Sequence, residues 1–570
     1  MIETTRLGPR ERAENWRRLA SEHFDILVVG GGITGTGVAL DAATRGLRVA
    51  LVEARDFAAG TSSRSSKLFH GGLRYLEQLN FGLVKEALRE RELMLTRIAP
   101  HLVKPVSFLY PLRHRLWERP YVTAGLTLYD TIAGQRSVPR HRQLSRNAAR
   151  RLCPSLRPDA LVGAIRYYDA QVDDARHTMT VARTAAGYGA TALNSAEVVE
   201  FRRAGDRIVG ARVRDVETGR HADVAATVVV NCAGVWTDDL HRLAGRRGQY
   251  NIQASKGVHL VVPGDRIHST TGLILRTERS VLFVIPWGAH WIVGTTDTSW
   301  SLGKAHPAAT EADISYILDH VNEVLTTPLT RDDIEGVYAG LRPLLAGGTD
   351  QTARLSREHA VTRTQPGMIS VAGGKYTTYR VMAADAVDAA ATDLGRPLPA
   401  GVTDRVPLLG AEGYPALKNQ AGLLAGRYGV PVWTIHRLLG RYGSLIGEVL
   451  APSGADPSLL EPVTGAEGHL KAEFRYAATH EGALHLDDLL TRRSRVSIES
   501  THRGTEAAAE VSAIVADPLS WDDARRTREI DAYRARVEAE RRAHAEADDS
   551  AAEAVRLGAP DSRAVFTNSE

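Results

Sequence analysis

Cysteine, lysine and long apolar runs are the scarce features of this 570-residue chain. Its two cysteines, Cys153 and Cys232, cannot build a disulfide framework or a cysteine metal cluster, so no metal centre is expected and a reducing compartment is indicated. No run approaches the roughly 18 apolar residues of a membrane-spanning helix. The opening MIETTRLGPRERAENWRRLASEHFD is charged where a signal peptide would be apolar. The reading is a cytoplasmic protein, with attachment to a membrane surface left open. A formal charge of +4 is nearly balanced, and no basic stripe is interleaved with aromatics, so nucleic-acid binding is not expected. Eight lysines stand against 63 arginines. In such a chain arginine is the default cation and each lysine is more informative than usual.

What is present is a soluble composition, 43% hydrophobic and 24% charged, long enough for two or three domains. From Phe24 the chain reads FDILVVGGGITGTGVALDAATRGLRVALVEA, an apolar strand, a glycine turn, a helix and a second strand. Strand-like runs then recur between helices, as in TVVVNCAGVW, GVHLVVP, VLFVIPW and MISVAGGK. This pattern predicts an α/β domain over residues 22–400 whose sheet is assembled from distant segments and interrupted by a second, substrate-covering sheet, with cap segments at 100–170 and 240–345. Residues 1–21 read as an N-terminal extension and 401–525 as a separate all-α domain. Residues 526–570 lose the apolar stripe and read as a frayed helix with a disordered tail.

Gly30, Gly32 and Gly35 form G-x-G-x-x-G directly after the first strand, and Glu53 ends the second. The glycines allow a tight turn, close backbone approach to a pyrophosphate and close helix packing, while the acid can accept from a ribose diol. The fingerprint itself fits FAD or NAD; its place at the start of a long chain favours FAD. VVVNCAGVWTDDL, with Ala233, Gly234 and Trp236, reads as a strand returning to the same cofactor.

Three further glycine-rich stretches, SKGVHL, AGLRPLL and SVAGGKYTTYR, each supply one candidate for chemistry: His259, Arg342 and Lys375. In the last, a strand runs through Gly373-Gly374 into a helix, so a helix N-terminus and Lys375 can face a reduced flavin.

Together with SSKLFHGGLRYLE, VDDARHTM, VGTTD and GGKYTTYR, these segments resemble the respiratory FAD-dependent glycerol-3-phosphate dehydrogenases over about residues 22–520. The resemblance implies a glutathione-reductase-like, Rossmann-type FAD domain with an antiparallel substrate cap and a C-terminal helical domain. It implies oxidation of sn-glycerol 3-phosphate to dihydroxyacetone phosphate, electron transfer to membrane quinone, a homodimer, and a peripheral place on the inner face of the plasma membrane. Arg74, Tyr75, His259, Arg342 and Lys375 are then the substrate residues, with His259, Arg342 and Lys375 catalytic. Arg74 and Arg342 suit the phosphate, since guanidinium binds it bidentately. Thr61, Ser62, Ser65 and Ser66 are expected at the FAD pyrophosphate with Lys67 beside them. His70, Gly71 and Gly72 are expected along the isoalloxazine ring, and Gly374 and Thr377 complete the cofactor set. RERAENWRRLA and LVKEALREREL alternate basic and apolar residues and could lie on anionic lipid. A glycerol-3-phosphate oxidase using O₂, an FAD amine or amino-acid oxidase and a non-oxidising flavin-binding scaffold are the alternatives.

Overall fold

The computed structural model describes residues 5–72, 80–114, 118–132, 137–245, 252–278, 281–345, 359–559 and 561–563. Its first sheet is built on the strand His23–Val29, which pairs in parallel with Val49–Val52 on one side and His221–Asn231 on the other. Thr191–Leu193 and Met368–Gly373 extend it in parallel, and His359–Gln365 closes one edge antiparallel. Parallel strands are covered on both faces and so read as continuous apolar runs; every residue of Val49–Val52 is buried. On one face lie the helices Ile33–Thr44, Asp174–Gly187 and Tyr379–Leu394. On the other, the hairpin Ala196–Ala204 with Arg207–Asp215 and the N-terminal helix Pro9–Ser21 share an apolar core that includes Trp16, Leu19, Phe24 and Val213.

The second sheet has ten strands, drawn from 104–171 and 252–345, with Leu68–Phe69 at one edge. It is antiparallel except where Gly272–Arg276 runs parallel to Lys104–Leu112. Its long strand Ile252–Pro263 lies between Gly336–Leu345 and His290–Gly294. The pairing of Leu68–Phe69 with Gln171 and Ala170 ties the serine-rich stretch to this cap.

Beyond 400, helices Tyr414–Asn419, Ala421–Tyr428, Val432–Tyr442, Lys471–His480 and Ala508–Leu519 pack around two apolar cores. The domain read as all-α also holds a short strand pair, Pro462–Val463 with Ala466–Leu470, directly before the helix Lys471–His480. The expected frayed helix is corrected over 523–557, and the end of the expected tail, 564–570, lies outside the described residues. Asp523–Ala543 and Asp549–Leu557 are helices that bury Tyr533, Val537, Ala539, Ala543 and Ala552. The apolar stripe of Asp523–Ala543 is weak because much of its attachment is ionic: Arg536 meets Asp487 at 3.1 Å, and Glu529 meets His485 at 2.8 Å. Ion pairs leave no 3.6-residue hydrophobic period to read.

Both stretches considered for a lipid surface pack internally. The first buries Trp16 and Leu19, and the second, in the helix Phe81–Leu93, buries Val84, Ala87, Leu88, Glu90 and Arg91. Among the described residues no helix is long and apolar enough to cross a membrane. HEGALHLDDLLTRR is a buried ionic seam between the C-terminal region and the first domain: Arg493 and Arg492 hold Asp56 at 2.7 and 2.6 Å, and His485 bridges Glu217 and Glu529.

His101, His177 and His469 are buried, and burial pushes each down to about 3. Folded, they stay neutral while the unfolded chain takes up protons below about pH 6.5. Their linkage therefore removes stability as pH falls from about 6.5 toward 3, by about 1.4 kcal/mol per pH unit for each histidine. Urea midpoints are expected to drop between pH 7 and 5, above the range where carboxylates titrate; equal midpoints contradict this placement of the histidines.

Candidate active site

The cofactor turn lies at the carboxyl ends of the parallel strands, where ligands bind in such sheets. Gly30 has φ +114°, and a Cβ there would stand 2.6 Å from the Cys232 carbonyl oxygen. The turn at 30–35 and the turn after Asn231 are thus packed backbone to backbone, as expected for the returning strand. A Cβ on Gly35 would collide with the Gly30 carbonyl, so the helix Ile33–Thr44 can start only from glycine at that position. Gly32 is different: its added Cβ would meet only Ser62 Oγ, at 3.2 Å. Gly234, at φ +57°, has nothing within 4 Å. These two bare backbone positions, at a helix N-terminus and beside the adjoining turn, fit a pyrophosphate approaching the main chain. Glu53 accepts from the amides of Gly31 and Arg55 at 2.6 and 2.8 Å, and burial raises its carboxyl above the usual range despite these bonds. Trp236 packs on Gly60, and Ala233 donates its amide to Asn231 Oδ1 at 3.1 Å.

The hydroxyls of 61–66 part company with the expectation. Ser62 Oγ accepts from the Ile33 amide at 2.9 Å, at the start of the cofactor helix. Thr61 Oγ1 donates to the Leu341 carbonyl at 2.6 Å, and Ser65 donates through its amide and Oγ to Asp174 Oδ2 at 2.9 and 2.7 Å. Ser66 Oγ pairs with His259 Nε2 at 2.8 Å. Lys67, buried and at φ +57°, places Nζ on Asp174 Oδ1 at 2.9 Å and on the Ser63 carbonyl at 3.2 Å. Only Ser62 of this group stands at the helix start; Thr61, Ser65, Ser66 and Lys67 spend their side chains binding the loop to the cap and to Asp174. Further on, the Gly71 amide donates to Tyr129 Oη and Asp169 Oδ1 at 3.1 and 3.2 Å, the His70 carbonyl accepts from Thr377 Oγ1 at 3.3 Å, and Gly72 has φ +75°. Arg74 and Tyr75 lie outside the described residues.

His259 sits mid-strand in Ile252–Pro263, opposite Tyr338 and Gly294 on its two neighbours. Its ring stacks on Tyr338 at 4.7 Å and 9°, and a Cβ on Gly294 would come within 2.5 Å of its Cδ2. Nε2 is held by Ser66, whereas Nδ1 is buried with no hydrogen-bond partner. Burial, then the Arg342 and Lys67 charges, hold the ring well below the usual histidine range, so it is neutral at physiological pH. Gly257 and His259 share one face of the strand by alternation. The Arg342 guanidinium lies over Gly257, where a Cβ would stand 2.5 Å from Nη2. Arg342 donates to Thr295 Oγ1 at 3.1 Å and the Thr296 carbonyl at 3.2 Å, with Asp297 at 3.5 Å. The two predicted cap residues therefore come together on one sheet face. Lys375 arrives from the other sheet: Met368–Gly373 turns through Gly373 and Gly374, at φ +70° and +81°, and Lys375 precedes the turn Tyr376–Thr378 and the helix Tyr379–Leu394. A Cβ on Gly374 would stand 2.5 Å from Met382 Sδ.

The residue that sequence reasoning missed is Asp174. It accepts from Ser65, Lys67 and Arg495, and its carbonyl accepts from Tyr376 Oη at 2.8 Å. Tyr338 Oη donates to the Ser65 carbonyl at 3.0 Å. One carboxylate thus fixes the loop that carries Ser66 and, through it, His259. The available signal was the doubled aspartate of VDDARHTM: Asp173 caps the helix Asp174–Gly187, which leaves the second acid without a capping role.

Residues 25–380 match the family model described as FAD dependent oxidoreductase, and residues 401–526 match that of the C-terminal domain of alpha-glycerophosphate oxidase. The chain is 60% identical over 558 residues to glycerol-3-phosphate dehydrogenase 2 of Mycobacterium tuberculosis, covering 98% of this chain and 95% of that protein. It is 37% identical over 540 residues to the human mitochondrial glycerol-3-phosphate dehydrogenase, covering 90% and 73%. The solved glycerol-3-phosphate dehydrogenase of Bacillus halodurans, complexed with FAD, superposes with a TM-score of 0.77 at 29% identity, covering 93% of this chain and 98% of that one. With the glycine turn, the bare backbone at Gly32 and Gly234 and the histidine and arginine of the cap, these matches settle the family: the chain belongs to the FAD-dependent glycerol-3-phosphate dehydrogenases.

Proposed function

We propose that the protein oxidises sn-glycerol 3-phosphate to dihydroxyacetone phosphate and delivers the electrons to a membrane quinone. The observation that carries the chemical part is the neutral, buried His259 with Nδ1 unpartnered, on the same sheet face as the Arg342 guanidinium. In the tautomer that donates Nε2–H to Ser66 Oγ, 2.8 Å away, Nδ1 holds the lone pair that removes the C2 hydroxyl proton. When bound, FAD supplies the acceptor for the C2 hydride at N5. Arg342 pairs with the substrate phosphate, and Arg74 and Tyr75 join it in this reading. Because Arg342 is one cause of the depressed His259 basicity, neutralising it with phosphate strengthens the base as substrate enters. Lys375 and the N-terminus of the helix that follows it offer positive charge to the alkoxide that develops.

A lipid surface is supported by one corner of the C-terminal domain, between Ala421–Tyr428 and Val432–Tyr442. Leu423, Val432 and Trp433 are 77, 45 and 57% exposed there. The stretch 413–447 carries no Asp or Glu, and its Lys418 and Arg427 are exposed. Apolar and aromatic groups with flanking cations suit an anionic interface. Replacing Leu423 and Trp433 with Ser is expected to release the enzyme from anionic vesicles in sedimentation; unchanged pelleting contradicts this assignment. The acceptor is tested by turnover with a soluble quinone in air. Stoichiometric quinone reduction with dihydroxyacetone phosphate formed is the expected result, and one peroxide per substrate oxidised would make the protein an oxidase.

A further inference from the structure

Two neighbouring cavities lie between residues 63–64, the segment 306–309, the cap strand Gly336–Leu345 and the C-terminal helices. They measure about 70 and 30 Å³ and share Arg64, His306, Thr491, Arg536 and Arg556 as lining. A water needs about 10–15 Å³ on this scale, so the larger one has room for several waters or one tetrahedral oxyanion. His259 and Arg342 line neither.

The arginines around this cleft are matched to carboxylates. Arg55 meets Asp561 at 2.6 Å, Arg492 meets Asp56 at 2.6 Å, and Arg495 meets Asp173 at 2.7 Å. Arg536 meets Glu540 at 2.6 Å and Asp487 at 3.1 Å. Arg556 is held more loosely, 3.5 Å from Glu540 and 3.2 Å from His306 Nδ1. Arg64 stands apart. Among the described residues its guanidinium makes one contact, 3.5 Å to the Ala305 carbonyl, and no ion pair. Burial and the neighbouring Arg55 push it down to about 9, against the weaker pull of the Glu540 and Asp487 carboxylates. His306 and His544 are pushed down by burial to about 4 and 3, so neither adds charge near neutral pH.

We propose that this cleft is a second, non-catalytic binding site for a small phosphate-type dianion, held chiefly by Arg64 with Arg556 as a further donor. A planar guanidinium without a carboxylate in a half-buried cleft is matched best by a tetrahedral oxyanion that accepts two parallel hydrogen bonds. The site bears on the active-site loop. Arg64 lies two residues before Ser66, and its backbone packs on Gly340, where a Cβ would stand 2.5 Å from the Arg64 carbonyl oxygen. Holding the Arg64 side chain therefore restrains the segment whose next hydroxyls anchor on Asp174 and His259.

Calorimetric titration of the FAD-loaded enzyme with inorganic phosphate, and separately with sn-glycerol 3-phosphate under anaerobic conditions, tests this. Inorganic phosphate is expected to bind in the presence of saturating sn-glycerol 3-phosphate, which identifies free phosphate as the ligand; a second equivalent of sn-glycerol 3-phosphate at the same site identifies the phosphate ester. Arg64→Gln should weaken that binding by about tenfold or more, with FAD content and the KM in phosphate-free buffer unchanged. Arg64→Lys should keep most of the affinity, and Arg556→Gln gives an independent arm in which phosphate binding also falls. A total of one anion equivalent per enzyme with phosphate and substrate competing for it, binding unaffected by Arg64→Gln and Arg556→Gln, or loss of FAD from Arg64→Gln would each overturn the proposal.

Discussion

Replacing His259 with Ala is expected to slow anaerobic flavin reduction by sn-glycerol 3-phosphate by about 10²–10⁴-fold, the usual contribution of a positioned general base. FAD content should survive, because the glycine turn and Glu53 are on the other sheet. The ring lies between Tyr338 and Gly294, so the lost side chain leaves the strand pairing intact. Ser66→Ala should give a smaller loss in the same step, since it removes the contact that orients Nε2 while leaving Nδ1 in place. The pH profile carries its own sign. Catalysis needs neutral His259, and burial together with Arg342 and Lys67 lowers its protonation range, so kcat/KM should show no loss from this group between pH 8 and 6.5. An acid limb near 6.5 that disappears in His259→Ala would contradict the buried placement of the ring.

Asp174→Asn is expected to cost about 3–5 kcal/mol of stability, the usual consequence of removing one partner of a buried ion pair. The two cations respond differently. Arg495 keeps Asp173 at 2.7 Å, whereas Lys67 retains only the Ser63 carbonyl and the faces of Tyr338 and Trp287, at 4.9 and 5.6 Å. Most of the penalty therefore belongs to Lys67. Adding Lys67→Met to Asp174→Asn should recover part of it in a double-mutant cycle, read by urea unfolding. Flavin reduction should fall in Asp174→Asn as well, because Ser65 loses its acceptor and Ser66 its fixed position. Additive losses in the cycle, or unaltered reduction, contradict the role assigned to Asp174.

Much of this site was legible because its signals are local. Gly30 and Gly35 announce the turn by spacing alone, and the structure shows why each position excludes a side chain. His259 and Arg342 stand out in the sequence as candidates in glycine-rich strands, and strand pairing brings Ser255 opposite Arg342 and His259 opposite Tyr338. In the serine-rich stretch the hydroxyls of Thr61, Ser65 and Ser66 have protein partners that its local pattern does not announce. Ser66 meets a residue 193 positions away, and no local pattern distinguishes a hydroxyl meant for phosphate from one meant for imidazole. Lys67 drew notice as a rare lysine near a cofactor, yet a buried carboxylate 107 positions away claims it. The last helices escaped for a different reason. Arg536 and Glu529 join Asp523–Ala543 to the body through charge, and hydrophobic periodicity is blind to that mode of attachment.

In the proposed reaction the two sheets place a neutral base and a phosphate-binding arginine over one FAD. The direct measurement is the anaerobic absorbance of the FAD-loaded protein on addition of sn-glycerol 3-phosphate, glycerol or amino acids. Bleaching of the flavin band by sn-glycerol 3-phosphate alone is expected, with one dihydroxyacetone phosphate formed per FAD. Bleaching by glycerol or an amino acid to the same extent, or an unchanged spectrum with sn-glycerol 3-phosphate, would contradict it.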